Sequence, residues 1–180
     1  MELQQCLETR RSIRNFNATP VSDETLIEII NAAANAPSWK NTQVTRYYAI
    51  RNNALKEEIA AKALPSFNQN AVRTAPVLLV CTMLKKRSGY TREGLPDTPK
   101  GDGWQMYDCG CSNMALTLKA TELGLGTVIQ GVYDEEKLAE IFPIPDTEEF
   151  ATLIPIGYFD DAAPPMPKRK YADIILKIHD

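Results

Sequence analysis

Between Thr9 and Ser22 the chain carries Arg10, Arg11 and Arg14 and no acidic residue. The run Arg10-Arg11-Ser12-Ile13-Arg14 sets guanidinium groups beside a hydroxyl. That donor set suits a phosphate monoester, with planar forks for its oxygens and a short donor between them. Each charge-assisted hydrogen bond of this kind contributes about 1.5–3 kcal/mol where water is excluded. A second acid-free stretch, Ala162 to Ala172, carries Lys168, Arg169 and Lys170, so six of the 20 basic residues lie in two acid-free segments. The same arginines would equally serve a solvated helix end, complementing the negative pole of a preceding helix. Charge alone leaves both readings open.

Other chemistry is sparse. No phosphate-binding G-x-x-x-x-G-K-S/T loop is present, and no G-x-G-x-x-G follows a strand. Gly124-Leu125-Gly126 reads as a helix C-cap and turn. The single histidine is His179, which argues against a histidine triad or metal cluster. Asp134-Glu135-Glu136 and Glu148-Glu149 read as a helix start and a solvated strand approach, not as a general-acid pair. Cys6, Cys81, Cys109 and Cys111 lack metal-type spacing and read as free, mostly buried thiols. With a formal charge of -3 the 180-residue chain is no general nucleic-acid or membrane-surface binder. Its N-terminal residues carry no secretory signature and its longest apolar run, Ala75 to Met83, is far short of a membrane span, so a cytoplasmic location is expected. Cations ready for phosphate, with little reactive side-chain chemistry, fit an enzyme whose cofactor carries the reaction.

The elements that must position these residues alternate in type. Helices are expected over about Asp23 to Ala36 (Ser22 as N-cap, Leu26, Ile29, Ile30 and Ala33 as apolar stripe), Ala54 to Leu64, Met106 to Leu123 and Glu135 to Phe142. Lys56 is expected on the exposed side of the second. Strands are expected over Arg46 to Ile50, Val77 to Met83, Gly126 to Val132 and Ala151 to Tyr158. The alternation implies helices packed on a sheet, in one domain by chain length. Lys85 to Gly103, with four glycines and two prolines, is too long for a plain connector and reads as a lid, a binding loop or a disordered segment.

Five segments together resemble the nitroreductase family of FMN-dependent NAD(P)H oxidoreductases. They are Arg10-Arg11-Ser12-Ile13-Arg14-Asn15-Phe16, Ala36-Pro37-Ser38-Trp39-Lys40-Asn41-Thr42-Gln43, and Asn68-Gln69 with Ala75-Pro76. The others are Asp108-Cys109-Gly110 with Asn113 and Leu123-Gly124-Leu125-Gly126-Thr127, and finally Ile156-Gly157-Tyr158 with Lys168-Arg169-Lys170. The resemblance implies an α+β homodimer with a central mixed β-sheet packed by helices. It implies one FMN-binding domain over 1–180, with 85–103 as a variable loop and 160–180 as a C-terminal extension. It places the two FMN sites at the subunit interface.

By position in those motifs, Arg10, Arg11, Ser12 and Arg14 would hold the ribityl phosphate and the pyrimidine edge, helped by Lys168 or Arg169. Pro37, Ser38, Trp39 and Asn41 would come from the other subunit and Asn68 would bond the ring. Val128, Ile129, Gln130 and Gly131 would run beneath it, with the backbone N–H of Gln130 or Gly131 near the nitrogen that accepts hydride. No side chain is then catalytic. The implied reaction is ping-pong, with NADH or NADPH as donor and a nitroaromatic, quinone or related small molecule as acceptor, and without nucleic-acid or membrane partners. Trp39 stands where the family often has a small residue, and Gln130 where several relatives have an acid. Trp104 and Tyr107 would line the acceptor cleft or pack in the core. Two other readings compete: a flavin-binding or partner-binding protein without turnover, and a cofactor-free adaptor whose basic segments are mere surface.

Overall fold

The apolar run that ends at Met83 forms the strand around which the molecule is built. In the computed structural model, which describes residues 1–167 and 175–178, strand β2 (Val77–Leu84) is buried along nearly its whole length. Alternate side chains point to opposite faces of a strand. Val77, Leu79, Cys81 and Met83 accordingly pack with helices α2 (Asp23–Ala34) and α5 (Gly103–Glu122), while Leu78 and Val80 pack with α3 (Asn53–Ala63), α4 (Ser66–Thr74) and α6 (Glu135–Ile141). Fully buried Ile29, Leu78 and Leu116 each contribute about 1.5–3 kcal/mol by leaving water.

Strands β1 (Thr45–Ile50), β3 (Gly126–Thr127) and β4 (Glu148–Gly157) complete a sheet of order β1-β2-β4-β3. The fold is α+β. Every ladder of the sheet is antiparallel, and the parallel component expected of a mixed sheet is confined to one bridge, Ser12 with Thr127. β3 is much shorter than the expected Gly126 to Val132. Its partner at that point is Pro155, which has no N–H to give; Val128 N–H reaches Pro155 O at 3.4 Å, and pairing resumes only where Gln130 meets Leu153.

Helix α2 starts where expected, with Ser22 Oγ accepting the Thr25 N–H at 3.2 Å, and Asp134 caps α6 through Lys137 N–H at 3.1 Å. Gly124 ends α5 at φ +79°, the left-handed conformation that favours glycine. Two helices escape the sequence reading: α1 (Leu3–Thr9) and α4. Pro65 follows the C-cap of α3, Leu64, as expected, and also serves as the N-cap position of α4. Lys56 is not exposed: it is 2% accessible, its Nζ donates to Ala75 O, and burial pushes its pKa down.

The four thiols are free, three of them buried, and Cys81 and Cys109 meet at 3.4 Å between β2 and α5. The segment from Lys85 to Gly103 is tied down at several points. Tyr90 bridges Pro96, Asp97 N–H donates to Gly89 O at 2.8 Å, and the Tyr90 hydroxyl donates to Asp102 at 2.6 Å.

Candidate functional site

Residues Arg10 to Phe16 lie along β3. Ile13 N–H donates to Thr127 O at 3.0 Å, and Ile13, Phe16, Ala71, Ala75 and Val128 form a separate apolar cluster beneath the segment. The approach is close enough to require a glycine, because a Cβ at Gly126 would stand 2.6 Å from Ile13 Cγ1. From the other side α4 holds the backbone, with Asn70 Nδ2 donating to Arg14 O at 2.8 Å and Phe16 N–H donating to Thr74 Oγ1 at 3.2 Å. Ser12 and Arg14 flank the buried Ile13 and with it line a cleft of about 330 Å³, together with Asn15, Asn70, Phe159 and Asp161. Asp161 is the one acid in that lining and accepts from Asn15 Nδ2 at 3.0 Å.

Arg11 behaves differently from Arg14. Its Nη1 donates to Glu8 O in the last turn of α1 at 2.6 Å, and its Nε donates to Pro164 O at 3.0 Å. The helix-end role that charge left open is thus filled by this arginine. Lys168, Arg169 and Lys170 lie outside the described residues, as does His179.

Asn68 and Gln130 meet a short distance along α4. Asn68 Nδ2 donates to Val132 O at 3.2 Å, and Gln130 Nε2 donates to Asn68 O at 3.0 Å. Gln130 Oε1 is buried without a hydrogen-bond partner among the described residues. The backbone N–H of Gln130 does not face a ligand: it donates to Leu153 O at 2.9 Å, and Leu153 N–H returns a bond to Gln130 O at 3.0 Å. Of the two N–H groups considered, Gly131 is the one left without such a ladder partner. Nothing lies within 4 Å of where a Gly131 Cβ would stand. Val128 is buried, whereas Ile129, Val132 and Phe67 leave an exposed apolar rim around Asn68 and Gly131.

Pro37, Ser38, Trp39 and Asn41 belong to a turn held from α5. Asp108, 2% accessible, accepts both the Trp39 N–H at 2.8 Å and the Ser88 hydroxyl at 2.5 Å. Lys40, Asn41 and Gln43 all adopt left-handed backbone (φ 45°, 56° and 49°), conformations that non-glycine residues hold only where their surroundings impose them. Trp39 packs edge-on against Trp104 with centroids 4.9 Å apart, and its Nε1 is a second buried polar atom with no partner among the described residues. Tyr107, 5.6 Å from the Trp104 ring, is 65% exposed and therefore not core. Among the described residues no hydrogen bond or ion pair joins this turn to Ser12 or Arg14.

Asp108 and Asn70 are the positioning residues the sequence reading did not assign. Asn70 was signalled only by sharing a helix with Asn68, and Asp108 by being an acid on the inner face of the longest helix. The acidic pair needs correction. Glu148 is not on a solvated face but 8% accessible, and it accepts from the Tyr48 hydroxyl at 3.0 Å and from Thr82. Glu149 accepts from Gln105 Nε2 at 3.0 Å, and burial, reinforced by Asp102 and Glu135, pushes its pKa up. Among the described residues no three His, Cys, Asp or Glu side chains gather as a metal site, and no helix is long and apolar enough to cross a membrane.

The nitroreductase family model matches this chain over residues 7–75 and 63–158. A protein of Methanothermobacter thermautotrophicus, whose name couples NADH dehydrogenase with NAD(P)H nitroreductase, is 30% identical over 165 residues, covering 88% of this chain and 78% of its own. The Bacillus subtilis FMN reductase [NAD(P)H] is 28% identical, covering 93% of this chain and 70% of its own. A crystal structure from Exiguobacterium sibiricum 255-15, named for a nitroreductase in complex with FMN, superposes with a TM-score of 0.83 at 25% identity. It covers 97% of this chain and 96% of its own. The chain belongs to the nitroreductase family.

Proposed function

We propose that this chain is an FMN-dependent oxidoreductase that draws on NADH or NADPH and reduces nitroaromatics, quinones or related small acceptors, the donor leaving before the acceptor enters. The observation that carries the reading is the buried, unpartnered Gln130 Oε1, set beside Asn68 on the same β3 and α4 framework that presents Ser12 and Arg14. A buried acceptor without a donor costs about 1–3 kcal/mol, and an imide N–H of the flavin type supplies that donor. Ser12 and Arg14, lining one cleft, supply the donors for a phosphate. The residues present fit FMN. A bound flavin supplies the redox chemistry, which explains why no histidine or carboxylate constellation is needed.

The chain's own part is binding and orientation. Ser12 and Arg14 would hold the phosphate, Asn68 and Gln130 would fix the ring edge, and the Gly131 N–H would remain available to a ring nitrogen. The whole described unit, with 85–103 as its variable loop and 160–180 as an extension, is taken as one domain. The turn at Pro37, Ser38, Trp39 and Asn41, which makes no hydrogen bond or ion pair with Ser12 or Arg14 among the described residues, completes the site of a second copy. Met106, Tyr107 and Met114, on one side of α5 and 44%, 65% and 42% exposed, give that copy an apolar face to cover. FMN uptake and its anaerobic bleaching by NADH or NADPH test the reading; FMN that binds but resists both donors would favour the form without turnover.

A further inference from the structure

A second cationic cleft lies on the far side of the Trp39 turn. Its volume is about 440 Å³, and Lys40, Lys86, Arg87 and Arg92 line it together with Thr42, Tyr90 and Thr91. The chain as a whole is acidic, with a formal charge of -3, so four cations on one cleft oppose the overall balance. Lys40 is paired, its Nζ 2.5 Å from Asp97 Oδ2. Among the described residues no acid pairs with Lys86, Arg87 or Arg92.

The backbone that carries these side chains is held in place. Lys40 and Lys86 are both left-handed, at φ 45° and 53°. Arg87 N–H donates at 3.1 Å to the fully buried Gln105, and the next residue, Ser88, is anchored on Asp108. Asp108 therefore fixes both walls, since it also holds Trp39.

We propose that this cleft receives the 2′-phosphate of NADPH and makes the enzyme select NADPH over NADH. The inference rests on the oxidoreductase reading and names its donor. A phosphomonoester carries a charge of about −1.5 to −2 at neutral pH and three acceptor oxygens, which matches the three unpaired cations Lys86, Arg87 and Arg92. A pyrophosphate, common to both donors, would not discriminate. The flavin's own phosphate is accounted for by Ser12 and Arg14, and the cleft shares the Trp39 to Thr42 turn with the proposed active site.

The test is calorimetric titration of FMN-loaded protein with 2′,5′-ADP, 5′-AMP and inorganic phosphate, followed by KM for NADPH and NADH. The expected result is binding of 2′,5′-ADP but not 5′-AMP, with Arg87→Ala and Arg92→Ala each weakening 2′,5′-ADP and raising the NADPH KM about tenfold. The NADH KM should stay within about twofold, and Lys62→Ala, an exposed lysine elsewhere, should change nothing. Equal affinity for 2′,5′-ADP and 5′-AMP, or full competition by equimolar inorganic phosphate, would overturn the assignment. Loss of FMN binding in the wild-type protein would instead overturn the underlying reading, while the 2′,5′-ADP titration still reports on the cleft itself.

Discussion

At the scale of single residues, the side chains that matter are those whose polar atoms are buried. Gln130 Oε1 and Trp39 Nε1 lack partners among the described residues, and Asp108 gathers two donors on one oxygen. The resemblance assigned Gln130 to the site and offered its backbone N–H, or that of Gly131, to the ring. Leu153 takes the Gln130 N–H because β4 continues past the break at Pro155, a long-range pairing that no local pattern reveals. Glu149 offers a test of burial. Its folded pKa is raised above the ordinary 4.5 by burial first, then by Asp102 and Glu135, with Lys85 acting in the opposite sense. A raised carboxyl pKa favours folding below the unfolded value and loses that contribution as pH rises through the folded value. Charged Glu149 therefore costs stability at neutral pH. Glu149→Gln, which keeps an acceptor for Gln105, should raise Tm by roughly 1–3 °C at pH 7 and by nothing near pH 4, as read by calorimetry. A lower Tm at pH 7 would contradict this account.

At the scale of elements, the elements with strong local signals were legible. α2 announced itself through Ser22, its acidic first turn and one apolar stripe, and β2 through an apolar run, interrupted at Thr82, that needs cover on both faces. Helix α4 was missed because Gln69, Asn70 and Arg73 mask a buried face of Asn68, Ala71 and Val72 at helical spacing. The polar Asn68 on that face is the residue the resemblance assigns to the ring, so its polarity does not mark an exposed position. The docking of the arginine segment on β3 is the joint on which the proposed cofactor site depends. Gly126→Ala would drive a Cβ into Ile13, at a cost of about 1–3 kcal/mol for overpacking. It should also weaken FMN roughly tenfold by displacing Ser12 and Arg14, while Lys62→Ala leaves FMN affinity unchanged in the same fluorescence titration. Undiminished FMN affinity in Gly126→Ala would mean that the β3 contact does not position the phosphate donors.

At the scale of the whole molecule, no hydrogen bond or ion pair among the described residues joins Ser12 or Arg14 to the turn around Trp39. A second copy bringing its turn to the first copy's cleft would complete the proposed site, with the exposed Met106, Tyr107 and Met114 as its contact. Light scattering on the purified protein should give twice the chain mass, and Met114→Glu should shift it toward one. A monomeric wild-type protein at micromolar concentration would remove the shared site. The central claim is simpler and is tested directly by an anaerobic titration. Protein incubated with FMN and desalted should retain the visible flavin spectrum, lose it on adding NADPH, and regain it on adding a quinone. Protein that emerges colourless from desalting, after incubation with excess FMN, would contradict the account at its root.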